Sequence, residues 1–375
     1  MSWSYRLATV RGITVNVHAT FAIMLALVAV NWSVLGLPGV VFGLIQVALL
    51  FGCVTLHELG HAVAAQRYGI PVRQIVLLPI GGVAMLGRNP RNPVQELVVA
   101  VAGPLVNVAI LAVLLPVLWL LGEPLTLGAS FLRPAAGSGL TLTEALRSLA
   151  AVNVGLVLFN LIPAFPLDGG RILRGVLGLR MDWTAATRWA TSTGQTLAVV
   201  MGGYGLWTGA INLVIIAALV FASAGATYVE EQTNDVLASE RVGDACNRHA
   251  IALHEGDRVS AVVRYLLTSY QPDFAVLRGR ELVGVVVRND VLRAVSEQRG
   301  DLAVGRFMVG CPRVDASLSL ADVRTRLNEA QAGVAAVYDN DDFVGLVSRE
   351  DLREAELILS FVRGGGERRR LRPVA

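Results

Sequence analysis

Six apolar segments, each long enough to cross a lipid bilayer as a helix, constrain what residues 1–230 can fold into. They cover residues 19–35, 40–66, 94–121, 143–161, 185–204 and 209–228. A transmembrane helix needs about 20 apolar residues. Charged residues make up only 16% of the 375-residue chain, and they are concentrated after residue 230. The pattern predicts a polytopic α-helical membrane protein with six transmembrane helices, followed by a soluble α/β part.

Arginine placement orients these six segments. The connections expected on one side carry Arg6, Arg11, Arg67, Arg73, Arg88, Arg91, Arg171, Arg174, Arg180 and Arg188, whereas the other side has Arg133 and Arg147. Cytoplasmic loops are the ones enriched in basic residues. We therefore expect the cell (inner) membrane as the location, with both termini and the soluble part cytoplasmic. The net charge of +3 gives no reason to expect nucleic acid as a partner.

Two stretches within the membrane domain have the pattern of short β hairpins. Residues 4–18 alternate apolar and polar side chains near Gly12, and residues 70–86 hold two apolar runs joined through Pro79 to Gly82. Unpaired strand edges cannot face lipid, so the second hairpin must pack on protein or line a water-filled cleft. There it serves either as a plug or as a docking edge for an extended peptide.

The second apolar segment ends in a His-Glu-x-x-His sequence. Residues four apart share one face of a helix, so His57 and His61 can hold one metal ion together. Glu58 beside them can take a proton from an activated water. Ionisable groups within a membrane span are costly and usually functional. Cys53 lies on the same face as His57, and we interpret it as a packed residue rather than a ligand.

A third ligand is expected after the fourth apolar segment. Two prolines, Pro163 and Pro166, break the helix there, and Asp168 follows them. The membrane orientation predicted from the arginines places Asp168 on the same side of the membrane as His57 and His61. Two imidazoles, one carboxylate and an open position form a catalytic metal site. The alternative is that Asp168 caps the short helix that begins near Gly169.

Four motifs, in order along residues 1–230, carry a family resemblance. They are His57 to His61, Pro79 to Gly82, Gly103-Pro104 with Asn107, and Asn160 through Leu167-Asp168-Gly169. Together they resemble the site-2 protease family of intramembrane zinc metalloproteases. The resemblance implies that His57, His61 and Asp168 bind one Zn²⁺ and that Glu58 is the catalytic base. It also implies hydrolysis of a peptide bond in or near the transmembrane segment of a membrane-protein substrate.

Three further residues of these motifs are expected near the reaction. By the resemblance, Asn160 helps to hold substrate or an oxyanion. Gly82 is expected in the substrate-binding hairpin or just behind the ligands. Asn107, a buried amide in an apolar span, is interpreted as structural or as a partner of a ligand.

The soluble part contains an internal repeat. Gly284 and Gly345 are 61 positions apart, as are Asp290 and Asp351. The repeat resembles a tandem cystathionine-β-synthase-type (CBS) module, which tends to form homodimers and often binds adenine nucleotides. We assign residues 231–240 to a linker, 241–298 and 301–360 to the two repeats, and 361–375 to an Arg-rich disordered tail. Ser348 and Asp351 fit the nucleotide pattern and the first repeat does not, so we expect one nucleotide site or a purely structural module.

Two other functions remain as alternatives to a CBS-modulated intramembrane protease. A membrane metal-ion transporter regulated by CBS domains would need several exchangeable sites, but the membrane part has one compact cluster and no other histidine than His18. An inactive scaffold that binds membrane peptides would not need Glu58.

Overall fold

The computed structural model describes residues 3–79, 81–87, 90, 92–122, 140–248, 250–269, 271–279 and 281–370. Several residues used above lie outside these ranges: Ile80 of the hairpin, the orienting arginines Arg88, Arg91 and Arg133, and residues 371–375 of the tail. The chain forms two compact units, Met1–Val229 and Glu230–Ala375.

Unit 1 is helical, with one small sheet. Its elements are β1 (Ser4–Val10), β2 (Ile13–His18), α1 (Phe21–Trp32), α2 (Gly36–Arg67), β3 (Val72–Leu78), β4 (Gly81–Leu86), α3 (Pro93–Leu120), α4 (Leu142–Asn160), α5 (Asp168–Gly178) and α6 (Trp183–Thr208); α7 (Ile211–Ala238) continues into unit 2. Side-chain caps mark the starts of α3 and α4. The side chain of Asn92, the N-cap residue of α3, accepts a hydrogen bond from the backbone amide of Val94. The side chain of Thr141, the N-cap residue of α4, accepts one from the backbone amide of Glu144.

Both predicted hairpins form, and they join into one four-stranded sheet in the order β1-β2-β3-β4. The β2–β3 pair is parallel, with Val15 opposite Ile75. The β3–β4 pair is antiparallel, with Ile75 opposite Ala84. Strand β3 is therefore internal, and β4 is a free edge of the sheet. Ile13 and Ile75 are fully buried against α2, which fixes the sheet next to the helix that carries the two histidines.

The predicted count of six membrane spans is not confirmed. Within the described residues, four helical stretches are long and apolar enough to cross a bilayer: Phe21–Arg67, Pro93–Leu120, Leu142–Asn160 and Ile211–Ala238. Helix α6, the predicted fifth span, does not qualify because threonines and Gln195 lower its hydropathy.

The first of these stretches contains two of the predicted spans. Helix α1 folds back on α2, with the Phe21 and Phe51 ring centroids 4.6 Å apart and those of Trp32 and Phe42 5.4 Å apart. Gly36 has a φ of 71°, a backbone conformation that favours glycine and permits the reversal. With 12 residues, α1 rises about 18 Å, less than the ~30 Å hydrocarbon core of a bilayer.

Unit 2 contains the repeat that the sequence predicts. The first copy runs β5 (Ala252–His254), α9 (Val259–Thr268), β6 (Asp273–Arg278), β7 (Glu281–Val287) and α10 (Arg288–Ser296); the second runs β8 (Arg313–Asp315), α11 (Leu320–Glu329), β9 (Val334–Asp339), β10 (Asp342–Ser348) and α12 (Arg349–Arg370), and α8 (Val242–Ala245) precedes both. Each copy has a three-stranded sheet with one parallel and one antiparallel pair. Ala275 and Val285 of the first copy pack with Ala336 and Leu346 of the second.

Two boundaries of unit 2 differ from the prediction. Residues 231–238 of the expected linker are helical, and Leu237 is fully buried in the core of the second repeat. Apolar burial therefore holds this stretch in the unit. Helix α12 extends to Arg370, where disorder was expected from residue 361. Extending an existing helix adds a hydrogen bond per residue, and the helix continues through Gly364, Gly365 and Gly366 although glycine disfavours the helical state.

Candidate metal centre

Three buried donor groups from two helices meet in unit 1. His57 and His61 lie one turn apart on α2, and Asp168 is the first residue of α5. The two Nε2 atoms are 3.1 Å apart, and each is 3.2 Å from Asp168 Oδ2. A tetrahedral zinc ion with bonds of about 2.0–2.1 Å keeps its ligands about 3.3 Å apart. The spacing of the three atoms therefore fits one zinc ion.

The other ring nitrogen of each histidine faces an oxygen acceptor. His57 Nδ1 lies 2.5 Å from Asn107 Oδ1, and His61 Nδ1 lies 2.7 Å from the carbonyl oxygen of Val99. An Nδ1–H that donates to these oxygens leaves the lone pair on Nε2, the nitrogen that faces Asp168. This is the tautomer that a metal ligand needs. The contacts of the ring nitrogens therefore support the zinc fit independently of the distances.

Strand β4 positions Glu58. The backbone amide of Ala84 donates a hydrogen bond to the Glu58 carboxylate. Gly82 lies so close that an added Cβ would be 2.6 Å from Glu58 Cγ. The carboxylate thus lies between α2 and the free edge strand. Only glycine at position 82 leaves room for the Glu58 side chain, and the role of Gly82 in substrate binding stays a prediction.

Two glycines let α3 approach the ligands. A Cβ added to Gly103 would lie 2.2 Å from His61 Nε2 and 2.7 Å from His57 Nε2. A Cβ on Gly60 would lie 2.8 Å from the carbonyl oxygen of Ala102. The sequence indicated close helix packing at Gly103, but not that the glycine faces both imidazoles.

A buried ionic cluster, which the sequence alone does not predict, anchors α5. Glu96 of α3 is 0% exposed. Its Oε1 accepts from Arg171 Nε at 3.1 Å and from Arg174 Nη2 at 2.6 Å. Removing one partner of such a cluster leaves a buried charge uncompensated. Two sequence features could have indicated this cluster. Glu96 is a lone carboxylate near the start of an apolar span, and Arg171 and Arg174 follow shortly after Asp168.

The remaining predicted residues of unit 1 have different positions. Asn107 contacts His57, and its role as partner of a metal ligand stays a prediction. Asp168 does not cap α5, since the N-cap residue is Leu167 and it makes no side-chain cap. Asn160 is the half-buried last residue of α4, and its substrate role stays a prediction. Cys53 is buried and accepts from Asn153 Nδ2 at 3.3 Å, consistent with a packed residue.

Ser348 and Asp351 of unit 2 form a reciprocal helix cap. The Ser348 amide donates to Asp351 Oδ2 at 2.7 Å, and the Asp351 amide donates to Ser348 Oγ at 3.1 Å. Asp351 also lines a cavity of about 360 Å³ with Glu240, Asp244 and Glu354. Leu320, Ile358 and Leu359 complete much of its wall. The predicted nucleotide residue therefore borders a cavity with an apolar wall and four carboxylates.

Asp351 also lies close enough to Asp273 and Glu350 for their negative charges to interact. Burial raises the pKa of Asp273 to about 6, and the charges of Asp351 and Glu350 act in the same direction. A phosphate group brought close to these carboxylates would meet repulsion unless a cation accompanied it.

Comparisons with known proteins agree with the two units. The model of peptidase family M50 matches residues 45–202, and the CBS domain model matches residues 304–358. A zinc metalloprotease of Methanocaldococcus jannaschii is 31% identical over 364 residues, covering 96% of this chain and 98% of that protein. Stage IV sporulation protein FB of Bacillus subtilis is 25% identical over 179 residues, 48% of this chain and 55% of that protein. The solved structure of a site-2 protease from M. jannaschii is 35% identical and covers 60% of this chain and 95% of its own, with a TM-score of 0.42.

Proposed function

The chain belongs to the site-2 protease family of intramembrane zinc metalloproteases, peptidase family M50, and on that premise we propose that His57, His61 and Asp168 hold its zinc ion and that Glu58 is its catalytic base. The observation that carries the proposal is the convergence of both Nε2 atoms on Asp168 Oδ2, with each Nδ1 facing an oxygen. The substrate is a membrane protein that is hydrolysed in or near its transmembrane segment.

The chain's own residues have distinct tasks in this reaction. Zinc supplies Lewis-acid activation of water and of the scissile carbonyl when it is bound. Glu58, adjacent to His57 in sequence, accepts the proton of the attacking water and returns it to the leaving amine. The Ala84 amide holds the Glu58 carboxylate in place. Burial of the site excludes bulk water, which strengthens each of these electrostatic interactions.

The free edge of β4 supports a binding mode for the substrate. A transmembrane helix hides its peptide bonds in internal hydrogen bonds, so it has to unwind before hydrolysis. We propose that the unwound segment pairs with β4 as an added strand. Strand β3 cannot serve, because it lies between β2 and β4. Pairing at β4 brings the peptide next to Glu58.

Asp168→Asn tests the ligand assignment. The amide keeps the size of the side chain but removes the negative charge of a ligand. We expect zinc affinity to fall at least about 100-fold, with no change in the elution volume of the detergent-solubilised protein. Metal content and chelator competition measure the effect. Asp182→Asn is the matched control, because Asp182 caps α6 and asparagine caps a helix as well. Full zinc occupancy in Asp168→Asn would remove Asp168 from the ligand set.

The protein is an integral membrane protein, and its topology is part of the proposal. We propose six crossings, formed by α1, α2, α3, α4, α6 and α7. The short α1 requires the bilayer to thin locally around it. The arginines near α5, which include Arg171 and Arg174, favour a cytoplasmic location for that end of the membrane domain, for both termini and for the CBS module. Two CBS modules that pack together would join two chains into a homodimer.

We further propose that an adenine nucleotide bound beside Asp351 modulates proteolysis. The cavity offers an apolar wall for a base, and its carboxylates suit ribose hydroxyls or a divalent cation rather than bare phosphates. A ligand shifts an equilibrium only by its differential affinity for the two states. Regulation therefore requires that the module exist in two arrangements with different affinities for the nucleotide.

Nucleotide binding to the full-length protein should depend on Mg²⁺. We expect ATP to bind at least about tenfold more tightly with Mg²⁺ than in EDTA, because the cation offsets the repulsion between phosphate and the four carboxylates. Calorimetry measures binding, and parallel cleavage assays measure regulation. Asp351→Ala should lose binding, and Asp290→Ala, at the matching position of the first repeat, should retain it. No binding at millimolar nucleotide would leave the module as a dimerisation device.

A further inference from the structure

A chain of hydrogen bonds leads from His57 to a backbone carbonyl of α4. His57 Nδ1 lies 2.5 Å from Asn107 Oδ1, and Asn107 Nδ2 donates to Asn153 Oδ1 at 2.8 Å. Asn153 Nδ2 then donates to the carbonyl oxygen of Leu149 at 2.8 Å. Asn107 and Asn153 are both 0% exposed. Buried polar groups require partners, and each link of this chain supplies one.

The last acceptor sets the direction of the whole chain. A carbonyl oxygen can only accept, so Asn153 has to present its NH₂ group to Leu149 and its oxygen to Asn107. Asn107 then has to present its NH₂ group to Asn153 and its oxygen to His57. Reversing either amide alone would bring two acceptors or two donors together. His57 must therefore carry its proton on Nδ1, which leaves Nε2 free to bind a metal.

Different acceptors fix the Nδ1–H tautomer of the two histidines. His61 Nδ1 lies 2.7 Å from the Val99 carbonyl oxygen, so a single backbone acceptor is sufficient. His57 faces a side-chain amide, which has a donor end and an acceptor end and can rotate. Asn107 by itself could present either its oxygen or its NH₂ group to His57. The hydrogen bond to Asn153 fixes which of the two faces His57.

We propose that Asn153 is a positioning residue that fixes the metal-binding tautomer of His57 through Asn107. The proposal rests on the proposed function in one respect, that His57 is a zinc ligand. Asn153 touches neither the ligand atoms nor Asp168. The Cys53 thiol lies 3.3 Å from Asn153 Nδ2 and can accept from it, but a thiol can also donate, so the Leu149 carbonyl is the contact that sets the orientation of Asn153.

The test is zinc affinity of the purified full-length protein, measured by chelator competition without a substrate. We expect Asn153→Ala to weaken zinc binding about tenfold and Asn107→Ala about 10- to 100-fold. The double variant should be no weaker than Asn107→Ala, because Asn153 acts through Asn107. Ser148→Ala is the matched control. Ser148 is buried on the same helix, but its hydroxyl pairs with Gln46 at 3.3 Å, so affinity should stay at the wild-type value.

Asn153→Leu guards against a folding artefact, since it keeps the side-chain volume and removes the amide. It should weaken zinc binding as Asn153→Ala does and alter the visible absorption of the Co²⁺-substituted protein, which reports ligand geometry. Wild-type affinity in both Asn153 variants, or additive losses in the double variant, would overturn the inference.

His57→Ala in the same assay separates this inference from the proposed function. Lost affinity in His57→Ala, with unchanged affinity in the Asn153 variants, overturns the role of Asn153 alone. Unchanged affinity in His57→Ala overturns the ligand assignment on which that role rests.

Discussion

Replacement of Glu58 by glutamine is expected to abolish peptide hydrolysis while zinc stays bound. The amide has the size of the carboxylate, and its oxygen can still accept the hydrogen bond of the Ala84 amide. It cannot accept a proton from water. General-base catalysis contributes about 10²- to 10⁴-fold to a rate, and we expect a loss of at least that size. A cleavage assay in detergent or nanodiscs, combined with metal analysis of the same sample, measures both outcomes.

Glu144→Gln is the matched control for Glu58→Gln. Glu144 lies in the first turn of α4 and pairs with Arg147 at 3.7 Å, away from the three donor atoms. It should cleave at close to the wild-type rate. Turnover of Glu58→Gln within about tenfold of wild type would contradict the role of Glu58 as base.

Replacement of Gly103 by alanine is expected to destroy the metal centre without touching a ligand. The new methyl group would lie 2.2 Å from His61 Nε2, so the imidazoles or α3 must move. Overpacking of a filled interior costs about 1–3 kcal/mol. We expect zinc affinity to fall at least about 100-fold, since displaced imidazoles no longer converge, and cleavage to be lost with it. Chelator competition and the cleavage assay measure the two effects.

Gly52→Ala is the matched control for Gly103→Ala. Gly52 lies on α2 one residue before Cys53, and a Cβ there meets nothing within 4 Å. Zinc binding should stay normal, and the helix should be slightly more stable because alanine has the higher helix propensity. Equal zinc affinity in both variants would contradict this prediction, because it would show that α3 moves enough to accommodate the methyl group at position 103.

The three candidate metal ligands could be named from the sequence because their chemistry is local or constrained by the membrane. The His57–His61 spacing depends only on helix geometry. Asp168 follows from elimination, since few carboxylates occur in an apolar region and membrane orientation places this one on the correct side. Both hairpins were also predictable from short apolar runs around turns.

Features that depend on long-range packing were not predictable in this way. The parallel pairing of β2 with β3 joins residues that are far apart in sequence and leaves no local signal. The sequence gives no sign that Asn153 has a special role, because its hydrogen bond with Asn107 joins two different helices. The chain reversal between residues 35 and 40 was predicted, but the shortness of α1 was not, because hydropathy measures apolar length and not where a helix ends.

On the proposed ligand assignment, the anchoring of α5 by Glu96 also sets the point in synthesis at which the zinc site becomes complete. Two of the three donor atoms are present once α2 has been synthesised, but Asp168 leaves the ribosome only after α3 and α4. Arg171 and Arg174 then have to reach Glu96 before α5 is held in place. A nascent chain that ends before this point has two imidazoles and no third ligand. Until α5 is held in place, the order of synthesis therefore leaves a new chain without a complete set of the three proposed ligands.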